Sequence, residues 1–278
     1  MVNKNTRLFI ISNGYIENDV ALNLLLHNQA TIDEPNRPAE WHRVPSISLL
    51  ISHPKLGWVL VDTGSHRDAM KGHWPEEARQ KIPLVRAEED MLGARLAQHD
   101  LKPEDIDLLV LTHLHLDHAG NLNLFCGTRA GSRVIVHEQE LKQALFDVFV
   151  GPDDMINGYL KADFAGLPDI AFDPVGGDVE LAEDLRLLWL PGHTPGLLGV
   201  MVHLGNSGTI IYTSDAVNWQ PNYGPPSRLS GVFYDTVAMK ESIRRIRWLE
   251  RRYDAMLIFG HDMEQFERLR LSPDQYYD

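Results

Sequence analysis

"LTHLHLDHAG", residues 111 to 120, places three histidines and one aspartate within six consecutive positions, directly after an apolar run. The run, Ile106 to Val110, is aliphatic apart from one aspartate, and a short run of this kind predicts a buried strand. Gly120 follows the polar cluster and predicts a tight turn. The stretch therefore predicts a strand whose tip presents a group of ionisable side chains.

The four polar side chains of this stretch have the chemistry of metal ligands. Neutral imidazole is the commonest protein ligand for zinc, and carboxylate oxygen is another good one. His113 and His115 are two positions apart, so on extended backbone they point to the same side and can bind one ion. Asp117 and His118 follow and can bind a second ion. The alternative is a solvated turn of hydrogen-bonded imidazoles, which so dense a set of ligand-type residues disfavours.

Three further candidate ligands follow apolar runs elsewhere in the chain. His193 lies in "LPGHTPG", just after the run Leu185 to Leu190. Asp215 ends the apolar run of "IIYTSDA", and His261 ends that of "MLIFGHD". Rigid backbone at strand ends holds such side chains in place. We therefore expect these three residues to converge on the first cluster.

Together these motifs resemble the dinuclear metal signature of the metallo-β-lactamase superfamily. The flanking "SDA", "PGHTPG" and "FGHDMEQ" (259 to 265) are similar to those of the N-acyl homoserine lactone lactonases, and the resemblance runs from "VLVDTG" (59 to 64) through most of the chain. It implies an α/β fold, a four-layer αββα sandwich, as one domain over residues 1–278. It also implies two metal-binding triads and a bridging aspartate: His113, His115 and His193; Asp117, His118 and His261; and Asp215.

The resemblance further implies hydrolysis of a lactone with two divalent metal ions, expected to be Zn²⁺. Zinc lowers the pKa of a bound water to about 7 from about 15.7, so that metal-bound hydroxide is available to open a cyclic ester. Asp117 and Asp215 are thus implied in catalysis as well as in metal binding. The same donor set also serves iron, cobalt or manganese, so the sequence leaves the metal open.

One position departs from the lactonase pattern. Those enzymes usually carry a tyrosine three residues after the bridging aspartate, where "SDAVNWQPNYG" has Asn218. An amide can donate a hydrogen bond to a carbonyl but cannot act as an acid. Tyr212 and Tyr223 are nearby in sequence. We expect Tyr223, which follows Pro221, to bring its phenol over the metals, and Asn218 to contribute little.

The composition excludes several classes of protein. The chain has 278 residues and a formal net charge of −13, so it is a poor candidate for binding nucleic acid. No stretch reaches the length of a membrane span, and the N-terminal residues lack the apolar region of roughly 7 to 15 residues that a signal peptide needs. Cys126 is the only cysteine, which excludes an intramolecular disulfide and favours a cytoplasmic location. The oligomeric state stays open, with a homodimer as the assembly to test.

Strands and helices are expected to alternate, as in layered α/β proteins. The predicted helices are Ala87 to Asp100, Glu138 to Phe149 and Thr236 to Arg252. "GWVLVDTG" and "GTIIYTSDA" are alike and lie about half a chain apart, which indicates two related halves. The predicted strands are Leu8 to Ser12, Ser46 to Ser52, Trp58 to Asp62, Leu108 to Thr112, Val134 to His137, Leu185 to Leu190, Gly199 to Leu204, Thr209 to Thr213 and Ala255 to Phe259.

Residues near the expected cleft have weaker assignments. Asp62 either caps a turn or accepts a hydrogen bond from a ligand imidazole, and the two roles are compatible. His66 and His73 are candidates for substrate contact. Residues 13 to 28 and 146 to 164 mix aliphatic, aromatic and glycine residues. They are either covers over the core or the lining of an apolar channel for an acyl chain.

The leading functional hypothesis is an N-acyl homoserine lactone lactonase, a quorum-quenching enzyme whose partner is a small lactone. The nearest alternative is another metallohydrolase of this fold, such as 4-pyridoxolactonase, whose pattern also resembles "HDMEQF". A glyoxalase II-like thioesterase lacks support because the chain shows no basic C-terminal cluster suited to glutathione. From a different class, a non-catalytic metal-binding protein would hold metal without turning over any ester.

Overall fold

The computed structural model of the chain describes residues 5–151 and 155–278. In this part of the chain the strands are β1 Arg7–Asp19, β2 Trp41–His53, β3 Gly57–Val61, β4 Leu84–Val85, β5 Leu108–Val110, β6 Val134–His137, β7 Met155–Ile156, β8 Tyr159–Leu160, β9 Phe172–Val175, β10 Val179–Ala182, β11 Leu185–Trp189, β12 Leu198–Leu204, β13 Gly208–Tyr212 and β14 Met256–Ile258. The α-helices are α1 Val20–Asn23, α2 Glu76–Lys81, α3 Leu92–Ala97, α4 Glu138–Val150, α5 Lys161–Phe164, α6 Gln220–Tyr223, α7 Thr236–Tyr253 and α8 Met263–Phe266.

The strands form two main sheets. The first has the order β4-β1-β2-β3-β5-β6-β9 and the second the order β10-β11-β12-β13-β14. β3 pairs antiparallel with β2 and parallel with β5, and β13 likewise pairs antiparallel with β12 and parallel with β14. The two strands that look alike in sequence therefore occupy equivalent places in the two sheets, as the sequence predicts.

Alternation along the strands explains how the sheets pack. Successive side chains of a strand point to opposite faces, and Leu49 and Ile51 of β2 face the second sheet while Leu50 faces away from it. On β12, Val200 faces the first sheet and Met201 faces away from it. The apolar core between the sheets is consequently built from both halves of the chain.

Helices cover the outer faces of both sheets. Leu96 of α3 and Ala144 of α4 belong to the apolar cluster on the outside of the first sheet. Ile243 and Ile246 of α7 belong to the cluster on the outside of the second. The order is helix, sheet, sheet, helix, so the predicted four-layer αββα sandwich is confirmed.

All nine predicted strands are present, with boundaries that differ by a few residues except at β1 and β2, which are longer. Of the predicted helices, α4 and α7 match, whereas the segment from Ala87 to Asp100 is not one helix. Met91 adopts an extended conformation (φ −66°, ψ 138°), so a 3₁₀ turn at Glu88–Asp90 is separated from α3. Over the described residues, no helix has both the length and the apolar character required to cross a membrane.

Candidate metal centre

The loop after β5 presents the first group of polar side chains. It runs along the edge of the first sheet, where Thr63 N donates to His118 O (2.7 Å) and Asp62 N donates to Val110 O (2.9 Å). A Cβ on Gly120 would overlap the backbone nitrogen of His66. Glycine is therefore required here by close approach of two chain segments, which adds a steric reason to the predicted turn.

The second sheet supplies the remaining candidate ligands. His193 follows β11, Asp215 follows β13 in the 3₁₀ turn Ser214–Ala216, and His261 follows β14. A Cβ on Gly260 would lie 2.7 Å from Asp215 Oδ1, so glycine lets the β14 loop approach the aspartate. All three side chains are buried, and they converge on the loop after β5.

The seven predicted ligands form one cluster with Asp215 at its middle. Asp215 Oδ2 lies 3.4 Å from His193 Nε2 and 3.2 Å from His261 Nε2, and Oδ1 lies 3.4 Å from His118 Nε2. Three groups have ligand atoms within 4.8 Å of one another: His113, His115 and His193; His113, His118 and Asp215; and Asp117, His118 and His261. The structure thus brings together all seven residues, with Asp215 beside the two triads that the resemblance implies.

Hydrogen bonds on the far side of the rings fix their orientation. His118 Nδ1 bonds to Asp62 Oδ2 (2.9 Å), His193 Nδ1 to Val232 O (3.1 Å) and His261 Nδ1 to Pro45 O (2.8 Å). A proton on Nδ1 leaves the Nε2 lone pair of each ring facing the centre, which is how metal-binding imidazoles are usually held. The role of Asp62 as an acceptor for a candidate ligand imidazole agrees with the sequence hypothesis.

Buried polar atoms in the cluster lack partners that a cation would supply. His113 Nε2, His118 Nε2 and Asp215 Oδ1 are buried and have no hydrogen-bond partner among the described residues. Such atoms are rare in folded proteins and call for an explanation. Imidazole nitrogen and carboxylate oxygen are ligands for divalent transition metals, so the residues present fit a dinuclear metal site.

The pKa values of the cluster also fit a cation site. Burial, and then the neighbouring imidazoles, hold the pKa values of His113 and His115 well below the usual range, so these rings are neutral. Burial lowers the pKa of His261, but Asp215 outweighs it and raises this pKa to about 9. Burial also opposes ionisation of Asp215, yet His261 and His118 keep its pKa well below the usual range. Burial also lowers the pKa of His118, but the carboxylates of Asp117, Asp215 and Asp62 outweigh it and raise this pKa well above the usual range. Without a metal, protons on His118 and His261 therefore balance the carboxylates.

A cavity of about 330 Å³ opens onto the cluster. Its polar end includes His115, Asp117, His193, Asp215 and His261. Its walls are largely apolar: Ile16, Leu22, Val44, Ala78, Ile82, Leu116, Met155 and Val232. Residues from both predicted channel segments contribute to these walls, while positions 152–154 of the second segment lie outside the described residues. A second cavity of about 320 Å³ borders His115 and His193 from another direction.

The structure places Asn218, and not Tyr223, beside the candidate metal centre. Asn218 is buried and lines the larger cavity, and its Nδ2 donates to Ser230 Oγ at 3.4 Å. Tyr223 does not line that cavity. Its hydroxyl donates to Glu250 of α7, and the guanidinium of Arg247 lies 5.0 Å from its ring centroid. The expectation that the phenol of Tyr223 folds over the metals is therefore corrected, because α6 turns it toward α7.

Other residues near the site differ from what sequence alone indicates. Glu140 of α4 is buried and accepts hydrogen bonds from Leu114 N (3.0 Å) and Gly196 N (3.2 Å). It joins the loop of His115 to the loop of His193, and its only sequence signal is a glutamate in the first turn of an amphipathic helix. His66 and His73 stack with centroids 3.6 Å apart, and neither lines a cavity that borders the cluster.

Comparison with known proteins agrees with this geometry. Residues 43–261 match the family model of the metallo-beta-lactamase superfamily.

The chain belongs to the metallo-β-lactamase superfamily.

Within the superfamily, relatives of the chain are N-acyl homoserine lactonases, as the sequence resemblance predicts. The chain is 35% identical to N-acyl homoserine lactonase AiiB of Rhizobium rhizogenes over 98% of this chain and 99% of that protein. An N-acyl homoserine lactone hydrolase solved with N-hexanoyl-L-homoserine at its catalytic metal centre shares the fold (TM-score 0.82, 24% identity, 99% of this chain and 100% of that chain). AidC, a dizinc quorum-quenching lactonase, is more distant in structure (TM-score 0.62, 20% identity, 95% and 90%).

Proposed function

We propose that the chain is a dinuclear-metal hydrolase that opens the ring of N-acyl homoserine lactones. The observation that carries the proposal is the position of Asp215, which lies within 3.4 Å of imidazoles from both triads at the end of a cavity with apolar walls. The 35% identity to an N-acyl homoserine lactonase over nearly the full length of both chains supports this substrate class.

The ligands for the two ions would be the two triads and the aspartate between them. His113, His115 and His193 would hold one ion and Asp117, His118 and His261 the other, with Asp215 shared. When bound, the ions would supply a hydroxide nucleophile at neutral pH and polarise the lactone carbonyl. Zinc is the proposed metal because the donor set is rich in imidazole and because one structural neighbour is a dizinc lactonase.

The side chains of the site then have separate tasks. Asp117 is the most exposed of the candidate ligands, with 16% of its side chain accessible, and it lines the cavity. Its carboxylate would accept a proton from the water-derived nucleophile and return it to the leaving ring oxygen. The nucleophile oxygen bonds to the lactone carbonyl carbon, the bond between that carbon and the ring oxygen breaks, and the ring oxygen takes the proton, so that one water is added to give an N-acyl homoserine. The apolar walls would bind the acyl chain and exclude bulk water.

We also propose that residues 1–278 act as one domain, since both halves of the chain build the core between the sheets. The single cysteine supports a reducing cytoplasmic environment. Exposed apolar side chains on α4, namely Phe146, Phe149 and Val150, support a homodimer. Light scattering at two protein concentrations tests the assembly.

The test of function is a substrate panel. Zinc-loaded protein is incubated with N-hexanoyl homoserine lactone, 4-pyridoxolactone, lactoylglutathione and a β-lactam, and each reaction is followed by mass spectrometry. We expect the mass gain of one water with the homoserine lactone and at most slow reaction with the others. Preferential turnover of 4-pyridoxolactone or lactoylglutathione would assign the chain to the corresponding alternative.

A further inference from the structure

Two buried asparagines line the larger cavity beside the candidate metal centre. Asn18 lies near the end of β1 and Asn23 at the end of α1, and each is 5% exposed. Both are among the residues that form the cavity wall, together with Asn218 and His261. The two side chains contact each other, with Asn18 Nδ2 donating to Asn23 Oδ1 at 3.5 Å.

That contact leaves one polar atom on each side chain without a partner. Asn18 Oδ1 and Asn23 Nδ2 are buried and have no hydrogen-bond partner within residues 5–151 and 155–278. A primary amide has both a donor and an acceptor. Whichever way the bond between the two side chains runs, the pair keeps one free acceptor and one free donor. Unpaired buried polar atoms are costly, so two of them in a cavity wall indicate a ligand that pairs with both.

The backbone around the pair is held firmly. Asp19, next to Asn18, caps α1 by accepting from Ala21 N at 2.9 Å. The carbonyl of Asn23 accepts from Trp219 Nε1 at 3.3 Å and from Asn222 Nδ2 at 2.9 Å. Neither asparagine is therefore on a mobile surface loop, and the free amide atoms belong to a preformed wall.

We propose that Asn18 and Asn23 bind the secondary amide of the substrate. Asn18 Oδ1 accepts the amide N–H and Asn23 Nδ2 donates to the acyl carbonyl, which matches one free acceptor and one free donor to the two polar groups of a secondary amide. Leu22, next to Asn23, faces the same cavity, so the apolar chain continues along the wall beyond the amide. This assignment rests on the proposed lactonase function and adds a specificity determinant to it.

The test compares two lactones that differ in the amide. N-Hexanoyl homoserine lactone has it, and α-hexyl-γ-butyrolactone has the same ring with an apolar chain on the same ring carbon but without the amide. Asn18→Leu and Asn23→Leu are nearly isosteric and remove the polar atoms, while Asn123→Leu is the matched control, the same change at an exposed position that does not line the cavity. Each asparagine variant should lower kcat/KM for the hexanoyl lactone about five- to tenfold, the effect of one lost hydrogen bond. For α-hexyl-γ-butyrolactone, and for both lactones with Asn123→Leu, the change in kcat/KM should stay within about twofold.

The ratio of the two kcat/KM values in one preparation decides the outcome, because partial unfolding or metal loss lowers both activities alike. A ratio unchanged by both asparagine variants would overturn the amide assignment while leaving the proposed function intact. Wild-type protein that opens neither lactone would refute the proposed function and this assignment with it. If a leucine variant does not fold, the serine variant is measured instead, since its hydroxyl is too short to replace the amide.

Discussion

His193 Nε2 lies 3.0 Å from His115 Nδ1, while His193 Nδ1 is bonded to the carbonyl of Val232. His115 in turn bonds to the backbone of Asn157. Both rings therefore direct their protons away from the centre, and two lone pairs face each other. A cation between them removes this repulsion, which is the physical reason for expecting a metal at this position.

The carboxylate of Asp62 is predicted to set metal affinity. It accepts from His118 Nδ1 (2.9 Å), Thr112 N (2.7 Å) and Thr112 Oγ1 (2.8 Å). Asp62→Asn replaces an acceptor by a donor at nearly unchanged shape, so zinc affinity should fall by about 10- to 100-fold. Competition with a chromophoric chelator measures it. Asp68→Asn, at a half-exposed carboxylate in the following loop, is the control, and equal affinities for the two variants would count against this role.

The stability of the metal-free protein should depend on pH through His261. Its pKa is about 9 in the folded state, because Asp215 outweighs burial, against about 6.5 in an unfolded chain. A raised folded pKa means that the stabilisation is complete below about pH 6.5 and is lost as the pH rises through about 9. The urea midpoint of the metal-free protein should therefore fall across this window, and less so in His261→Gln. A midpoint that rises with pH would contradict this.

From sequence, removing the Tyr223 hydroxyl is expected to lower kcat more than removing the Asn218 amide. The structure predicts the reverse order. The Tyr223 hydroxyl is bonded to Glu250, away from the cavity, so Tyr223→Phe should leave kcat within about twofold and lower stability by about 1 kcal/mol. Asn218 lines the cavity, but its amide nitrogen is directed to Ser230, so Asn218→Ala should lower kcat by about three- to tenfold, less than the loss of an oxyanion donor. Steady-state kinetics on the best lactone tests both predictions. A large loss of kcat in Tyr223→Phe with unchanged metal content would instead support a phenol over the metals.

A larger side chain on the apolar wall should narrow the cavity and change the preference for acyl-chain length. Ala78 of α2 is 2% exposed and lines the cavity, so Ala78→Leu should lower kcat/KM for decanoyl relative to butanoyl homoserine lactone by about tenfold or more. Ala97→Leu, at an exposed position of α3, makes the same change away from the cavity. An unchanged preference in Ala78→Leu would place the acyl chain elsewhere, with the second cavity as the next site to examine.

The metal cluster could be predicted from sequence because each candidate ligand lies close in sequence to the apolar strand that positions it. The seven predicted ligands lie in loops that follow apolar strands, and strand ends of a layered α/β fold meet at one edge. The strands of the core were predictable for the same reason, since a buried strand needs a continuous or alternating apolar pattern. Edge strands such as β9 and β10 carry mixed, partly exposed residues and gave no such pattern.

The rest of the site depends on contacts between distant segments. The partner of Tyr223 lies 27 residues further along the chain, at Glu250, and nothing next to Tyr223 in sequence indicates it. Glu140 meets Gly196 across 56 residues. The break at Met91 is likewise a backbone feature inside a segment with helical composition. Tertiary packing decides the contacts of Tyr223 and Glu140, and the local sequence pattern contains no trace of them.

The most direct test of the account is a zinc titration of chelator-stripped protein, with lactone hydrolysis and bound metal measured in the same samples. We predict negligible activity without metal, full activity only as about two ions bind per chain, and, in Asp215→Ala, loss of activity together with most of one metal equivalent. Full activity in metal-free protein, or an Asp215→Ala variant that binds both ions and remains active, would contradict the account.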